Sequence, residues 1–193
     1  MKTLVLFLLI LSTLAFRPVA VRYQIDSAAS QLTWTGHAEV GTWAPTGTIQ
    51  LRQGTFDYDG TALRNGRFEV DMRTLAHTDA KLQEHMRSAD FFDVAQYPTA
   101  TFLLKEVVQG QATGQLTIKN VTKTIRFPVA LTRSANGLRL SGTATIDRTM
   151  FGVTYNSTSF FQNLGDYAIR NDFQLRFELQ AKPVRRKQKQ QEH

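Results

Sequence analysis

Side chains of special reactivity have few places to sit in this sequence. It contains no cysteine, which removes thiol nucleophiles, thiolate metal ligands and disulfides together. The four histidines, His37, His77, His85 and His193, stand at none of the spacings with one another or with a carboxylate that zinc or calcium sites use. No metal and no cofactor is expected. There is no GxSxG elbow, P-loop or GxGxxG, and glycines fall singly at turns. Acidic pairs occur at Asp57/Asp59 and Asp90/Asp93. Hydrolysis needs two carboxylates held in distinct environments, whereas carboxylates in turn-rich sequence ordinarily satisfy turn backbone. Asp147-Arg148 follows Ala144-Thr145-Ile146 and precedes Phe151-Gly152. That places an acid and a base at a strand end, where Arg148 either pairs locally or meets the anionic head of a ligand. No catalytic residue is assigned. An enzymatic alternative would rest on Asp147 with Arg148, or on Asp90 with Asp93.

The elements that must position these groups are mostly strands. Leu32/Trp34, Ile49/Leu51, Phe68/Val70/Met72, Leu116/Ile118, Ile125/Phe127/Val129/Leu131, Leu138/Leu140 and Phe173/Leu175/Phe177/Leu179 put apolar side chains at alternate positions. This is the signature of antiparallel strands with one dry and one wet face. A further extended run starts at Tyr97-Pro98. Asp59-Gly60, Asn65-Gly66, Gln109-Gly110 and Asn136-Gly137 supply turns between runs, and Asn120 suits a left-handed position. The pattern predicts about eight strands, packed as a sandwich or closed as a barrel. One segment breaks the period. Leu82, Met86 and Ala89 fall at helical spacing behind Asp79, a natural N-cap, which predicts one short helix over 79–89. After it, Phe91 and Phe92 lie between Asp90 and Asp93. Those rings either cap the core or form, with the helix, one wall of a ligand cavity.

The chain has 193 residues and a formal charge of +7. That charge would suit nucleic acid, but it sits at the ends. Removing Lys2 and the net +4 of 182–193 from +7 leaves only +2 for 16–181. Basic residues interleaved with aromatics on one face are absent there, so no nucleic-acid partner is expected. Met1-Lys2-Thr3 followed by Leu4–Leu11 and small residues has the layout of a secretory signal, cleaved after Ala15 or Ala20. The apolar run is shorter than the roughly 20 residues that cross a bilayer. The predicted organisation is a signal over 1–20, one domain over 21–181 and a basic tail over 182–193. A periplasmic or secreted location follows. The tail is either solubilising or a transient contact for an anionic membrane surface. Oligomeric state is not legible.

Several motifs then carry a resemblance. They are Tyr23-Gln24-Ile25-Asp26, the run His85–Asp93 leading to Tyr97–Phe102, Gly114–Ile118 with Val121-Thr122-Lys123, and Ile146–Val153. Together they resemble the YceI-like family of secreted lipid-binding proteins, over nearly the whole chain after the signal. Two departures are Asn120, where the family usually has Gly, and Met150, where an acidic residue is common. The resemblance implies a mainly β fold, a lipocalin-like antiparallel barrel enclosing an elongated isoprenoid or similar lipid.

The residue pattern is consistent with such a container: rich in inward Phe, Leu, Ile and Val, and poor in catalytic clusters. Trp34, Phe68, Phe91, Phe92, Phe102 and Phe151 are the candidate wall residues, and Arg148 the candidate contact for a head group. The expected function is non-enzymatic enclosure of a polyisoprenoid, isoprenoid quinone or acyl chain for transport, storage or sequestration. The alternatives are a solid-barrel interaction or stress-protective protein, and an enzyme acting on an isoprenoid lipid.

Overall fold

A computed structural model of the chain describes residues 19–134 and 137–184. The period-two runs become eight strands: β1 (Val21–Thr35), β2 (Thr46–Tyr58), β3 (Leu63–Ala76), β4 (Thr99–Val108), β5 (Gln111–Ile118), β6 (Val121–Ser134), β7 (Gly137–Asp147) and β8 (Asp172–Pro183). Each pairs antiparallel with the next, and β8 returns to β1 with Trp34 opposite Leu175. The sheet is therefore a closed up-and-down barrel without a free edge. Alternation decides which side chains turn inward. Leu32, Trp34, Ile49, Leu51, Phe68, Met72, Leu116, Ile118, Leu138, Leu140, Phe177 and Leu179 are all buried.

Turn chemistry is mostly used as the residues suggest. Gln109-Gly110 and Lys119-Asn120 both take positive φ at the two central positions (51° and 72°; 47° and 60°) and close tight hairpins. Asn65-Gly66 differs from expectation. The chain has already reversed at 59–62, so Asn65 (φ 52°) lies inside β3. The register against β2 slips there, between Thr55 and Asp57. The left-handed residue makes a bulge instead of a turn, and its side-chain amide donates to the Asp57 carboxylate at 3.0 Å.

The helix α1 (Ala80–Arg87) is shorter than 79–89. Asp79 caps it as expected, its carboxylate accepting from the N–H groups of Lys81 (2.8 Å) and Leu82 (3.2 Å). It stops because Ser88 is extended. The N–H groups of Phe91, Phe92, Asp93 and Val94 then turn back onto the carbonyls of Ser88, Met86, Ser88 and Arg87. That turn brings both phenylalanine rings against the barrel.

Strand order gives the barrel two unlike ends. The long connections at 36–45, 77–98 and 148–171, and the turn at 119–120, gather at one end, here the loop end. The turns at 59–62 and 109–110, with Val21 and Pro183, occupy the other. The N–H of Val184, the last described residue, donates to the Arg22 carbonyl at 2.8 Å. The signal reading rests on 1–20 and the tail reading chiefly on 185–193. Residues 1–18, Ala135, Asn136 and 185–193 lie outside the described residues.

Candidate functional site

The barrel is not filled by its own side chains. An upper compartment at the loop end has a cavity volume of about 130 Å³ for the centres of water-sized spheres, with Trp34, Met72, His85, Phe91, Phe92 and Phe173 among its walls. A lower compartment of about 100 Å³ on the same measure lies among Phe68, Phe102, Leu104, Phe127, Phe177 and Leu179. Either would hold several water molecules by volume. Val70, Ala100, Leu116, Ile146 and Leu175 line both, so the compartments adjoin within one lumen. The lining positions on β8 run from Asp172 to Leu179, roughly 23 Å of strand. The walls present almost no polar surface.

Glycines keep this space open. Large rings facing into an eight-stranded barrel would ordinarily fill it. Here they lie back against positions that have no side chain. A Cβ on Gly142 would stand 2.7 Å from Cζ of Phe177, and one on Gly114 would stand 2.6 Å from Cζ of Phe102. The rings pack in series around the wall: Phe56 to Phe68 at 6.5 Å between centroids, Phe68 to Phe102 at 6.3 Å, Phe102 to Phe127 at 5.3 Å and Phe127 to Phe177 at 5.7 Å.

At the loop end, α1 and the turn after it supply the wall. Leu82, His85 and Met86 line the compartment from the helix, as Phe91 and Phe92 do from the turn. Phe91 meets Phe92 edge-on at 5.1 Å, and the His85 ring meets Tyr155 edge-on at 4.4 Å. Lys119, in the β5–β6 turn, donates from Nζ to the Phe91 carbonyl at 3.0 Å, which ties the aromatic turn to the barrel rim.

Arg148 is 2% exposed and its guanidinium sits 5.5 Å over the Phe91 ring. It lines the upper compartment, and three of its five N–H groups are taken by backbone carbonyls. Nε donates to the Arg170 carbonyl (3.1 Å), Nη1 to the Val153 carbonyl (2.8 Å) and Nη2 to the Ile169 carbonyl (3.1 Å). It clamps both ends of the 153–170 connection across the loop end. Burial pushes its pKa below the usual arginine value, opposed by the neighbouring Asp147 charge. The Asp147 carboxylate is itself a cap, accepting from the Thr149 N–H (2.9 Å) and hydroxyl (2.6 Å).

The structure brings five of the six residues singled out by sequence to the lumen: Trp34, Phe91 and Phe92 above, Phe68 and Phe102 below. Phe151 is the correction. It is buried in the core but lines neither compartment, because the 3-10 turn Arg148–Phe151 takes it off the inward alternation of β7. Asp90 and Asp93 also lie outside both walls. Among the described residues, no three histidine or carboxylate side chains gather closely enough to hold a metal. Sequence reasoning passed over His85, Trp43 and Ile169 as wall residues. For His85 a signal existed, since it stands three positions after Leu82 on the apolar side of α1.

Known proteins share this architecture. A UPF0312 protein of Pseudomonas savastanoi pv. phaseolicola is 30% identical over 124 residues, which cover 55% of this chain and 62% of that protein's length. A UPF0312 protein of Vibrio cholerae is 40% identical over 86 residues, covering 41% and 46% respectively. The chain thus spans less than two thirds of these relatives. Among solved structures, Burkholderia cenocepacia BcnA matches with a TM-score of 0.63 at 21% identity, covering 80% of this chain and 98% of that one. A polyisoprenoid binding domain from Saccharophagus degradans, implicated in plant cell wall breakdown, matches with a TM-score of 0.64 at 14% identity, covering 85% and 99%. At these identities the two structures establish the shared fold. Residues 23–181, the whole barrel but for its outermost positions, match the YceI-like domain, and on that match the chain belongs to the YceI-like family.

Proposed function

We propose that this protein is a non-enzymatic lipid container, enclosing one elongated apolar molecule such as a polyisoprenoid, an isoprenoid quinone or an acyl chain for transport, storage or sequestration. The observation that carries the reading is the apolar lumen running through both compartments of a closed barrel. Its energetics favour a long chain. Each buried CH₂ contributes roughly 0.8 kcal/mol, against an association cost on the order of 4–15 kcal/mol. A short molecule with few polar contacts would bind weakly, whereas a chain filling both compartments is held by apolar burial. The structural likeness to a polyisoprenoid binding domain supports the same reading.

The protein purified from its native source, extracted with organic solvent and also measured intact by native mass spectrometry, is expected to release a co-purifying lipid at near one copy per chain. A homogeneous lipid-free protein that takes up no added lipid would overturn the proposal. The leader-like 1–20 supports action in the periplasm or outside the cell. A mature N-terminus at Phe16 or Val21 is the expected finding, and an intact Met1 the contrary one. The basic tail is proposed as a second, electrostatic contact with anionic lipid surfaces. Deleting 184–193 should then lower binding to anionic vesicles, increasingly so at low salt.

A further inference from the structure

Exposed aromatic rings gather at one end of this barrel. Among the described residues, the large aromatic side chains left exposed are Trp43, Phe160, Phe161 and Tyr167. All four lie in the 36–45 and 148–171 connections at the loop end, as do exposed Val40 and Met150. Backbone bonds join the two connections into one cover. Ala38 and Ile169 form an antiparallel bridge, the Glu39 N–H donates to the Ala168 carbonyl (2.9 Å), and the Arg170 N–H donates to the His37 carbonyl (2.9 Å). The turn carrying Phe160 and Phe161 is tied to the same cover. Both of its N–H groups donate to the Ser157 carbonyl (3.0 and 2.9 Å), and the Ser157 hydroxyl donates to the Asn171 side-chain oxygen at 2.6 Å. The rings thus stand on anchored backbone, and seating them on a partner orders little further chain.

The chemistry of the cover points to its partner. Residues 149–169 carry one formal charge, Asp166, and residues 36–45 carry one, Glu39. An exposed apolar patch this poor in charge, with Trp and Tyr among its rings, suits the boundary between head groups and acyl chains of a bilayer. The patch is also continuous with the lumen. Trp43 is 53% exposed and yet lines the upper compartment, as Ile169 does from the other connection. Resting on the lipid-container reading, we propose that the loop end is a membrane-docking face. It seats Trp43, Phe160, Phe161 and Tyr167 in the bilayer interface, with the upper compartment turned toward the lipid it takes up or gives back. The adjoining 77–98 connection carries Lys81 and Arg87 against Asp79, Glu84, Asp90 and Asp93, so the attraction is apolar and gains nothing from anionic lipid. That separates it from the basic tail, which follows Val184 at the opposite end.

The test is cosedimentation with phosphatidylcholine vesicles at about 0.5 M salt, where attraction through the tail is screened. Wild-type and variant proteins are made in the native source, so that they share one N-terminus. The wild type should bind, and Phe160→Ser/Phe161→Ser should bind about tenfold more weakly, from the apolar area withdrawn. If the double variant fails to fold, Tyr167→Ser carries the comparison, with a fall of about threefold. The chain has two tryptophans, and Trp34 is buried within the barrel. Vesicles brominated along their acyl chains should therefore quench Trp43, and Trp43→Phe should remove most of the quenching. Equal binding by wild type and variants, or an unquenched Trp43, would overturn the docking face. So would a dimer in solution that the ring substitutions dissociate, combined with no vesicle binding, because the occupant would then be a second copy. Organic extraction of the same preparations reads the cargo separately. A loaded barrel that ignores vesicles loses the docking face alone, whereas an empty barrel that takes up no added lipid overturns the container reading, and the docking face as a loading site with it.

Discussion

The indole of Trp34 lies against Gly47, its cross-strand partner on β2. A Cβ at Gly47 would stand 2.5 Å from Cζ2 and 2.7 Å from Cε2 of the ring, and would also meet the Ala76 carbonyl oxygen. The missing side chain at Gly47 therefore fixes how closely the indole packs on β2 in the wall of the upper compartment.

Gly47→Ala is therefore expected to displace the indole and strain the β2–β3 pairing at Ala76. Overpacking of this kind costs about 1–3 kcal/mol. The denaturation midpoint should fall while the dependence on denaturant stays constant, and the tryptophan emission should change. An unchanged midpoint would show that the ring moves aside freely.

Ala100 is buried and lines both compartments. Ala100→Phe should divide the lumen without removing either wall. The expected outcome is a folded barrel that loses long-chain lipids and retains shorter ones in the upper compartment, with a stability loss of about 1–3 kcal/mol. Lipid extraction and native mass spectrometry read both effects. Retention of the wild-type lipid would place the chain elsewhere.

Arg148→Leu removes three hydrogen bonds from the carbonyls of Val153, Ile169 and Arg170. The buried Val153 carbonyl left without its donor makes the change costly, about 1–3 kcal/mol, with the part-buried carbonyls of Ile169 and Arg170 adding less. Lysine carries one compact ammonium and cannot span the three carbonyls as the guanidinium fork does, so Arg148→Lys should recover little. Limited proteolysis is expected to cut between residues 153 and 170 in the variants and to spare the wild-type protein. Equal resistance would remove the clamp.

The Asp59 carboxyl, in the β2–β3 turn, is pulled down to about 2, first by the Ala62 N–H and then by the Thr61 N–H and hydroxyl. A folded-state pKa below the unfolded value of 3.8 means that the carboxylate stabilises the fold fully above 3.8. That contribution is lost as pH falls through about 2. Asp59→Asn should be less stable than the wild type near neutrality, and the gap between their midpoints should narrow on acidification across that window. A gap independent of pH would show that the turn does not depend on the charge.

Features that depend on neighbours along the chain are legible in the sequence itself. Alternation through Phe173, Leu175, Phe177 and Leu179 marks a strand because successive side chains must face opposite sides. Gln109-Gly110 and Lys119-Asn120 announce hairpins, and Asp79 a helix start, through backbone geometry set within a few residues. Five of the six wall residues followed, because inward alternation and lining the lumen coincide while the chain stays in a strand. Phe151 failed where a 3-10 turn ended the alternation, and Asn65 where a bulge used the conformation expected of a turn.

Patterns local to the chain thus specify a meander of about eight strands with one capped helix and a near-neutral body between charged ends. The open lumen is instead a product of packing in three dimensions, through Gly114 and Gly142 set under rings from neighbouring strands. Packing alone likewise lets Arg148 serve carbonyls as far as 22 residues away and sets the Trp34 indole on Gly47. Each of these is a contact between segments distant in sequence, set by register, barrel closure and packing, and no local periodicity records it.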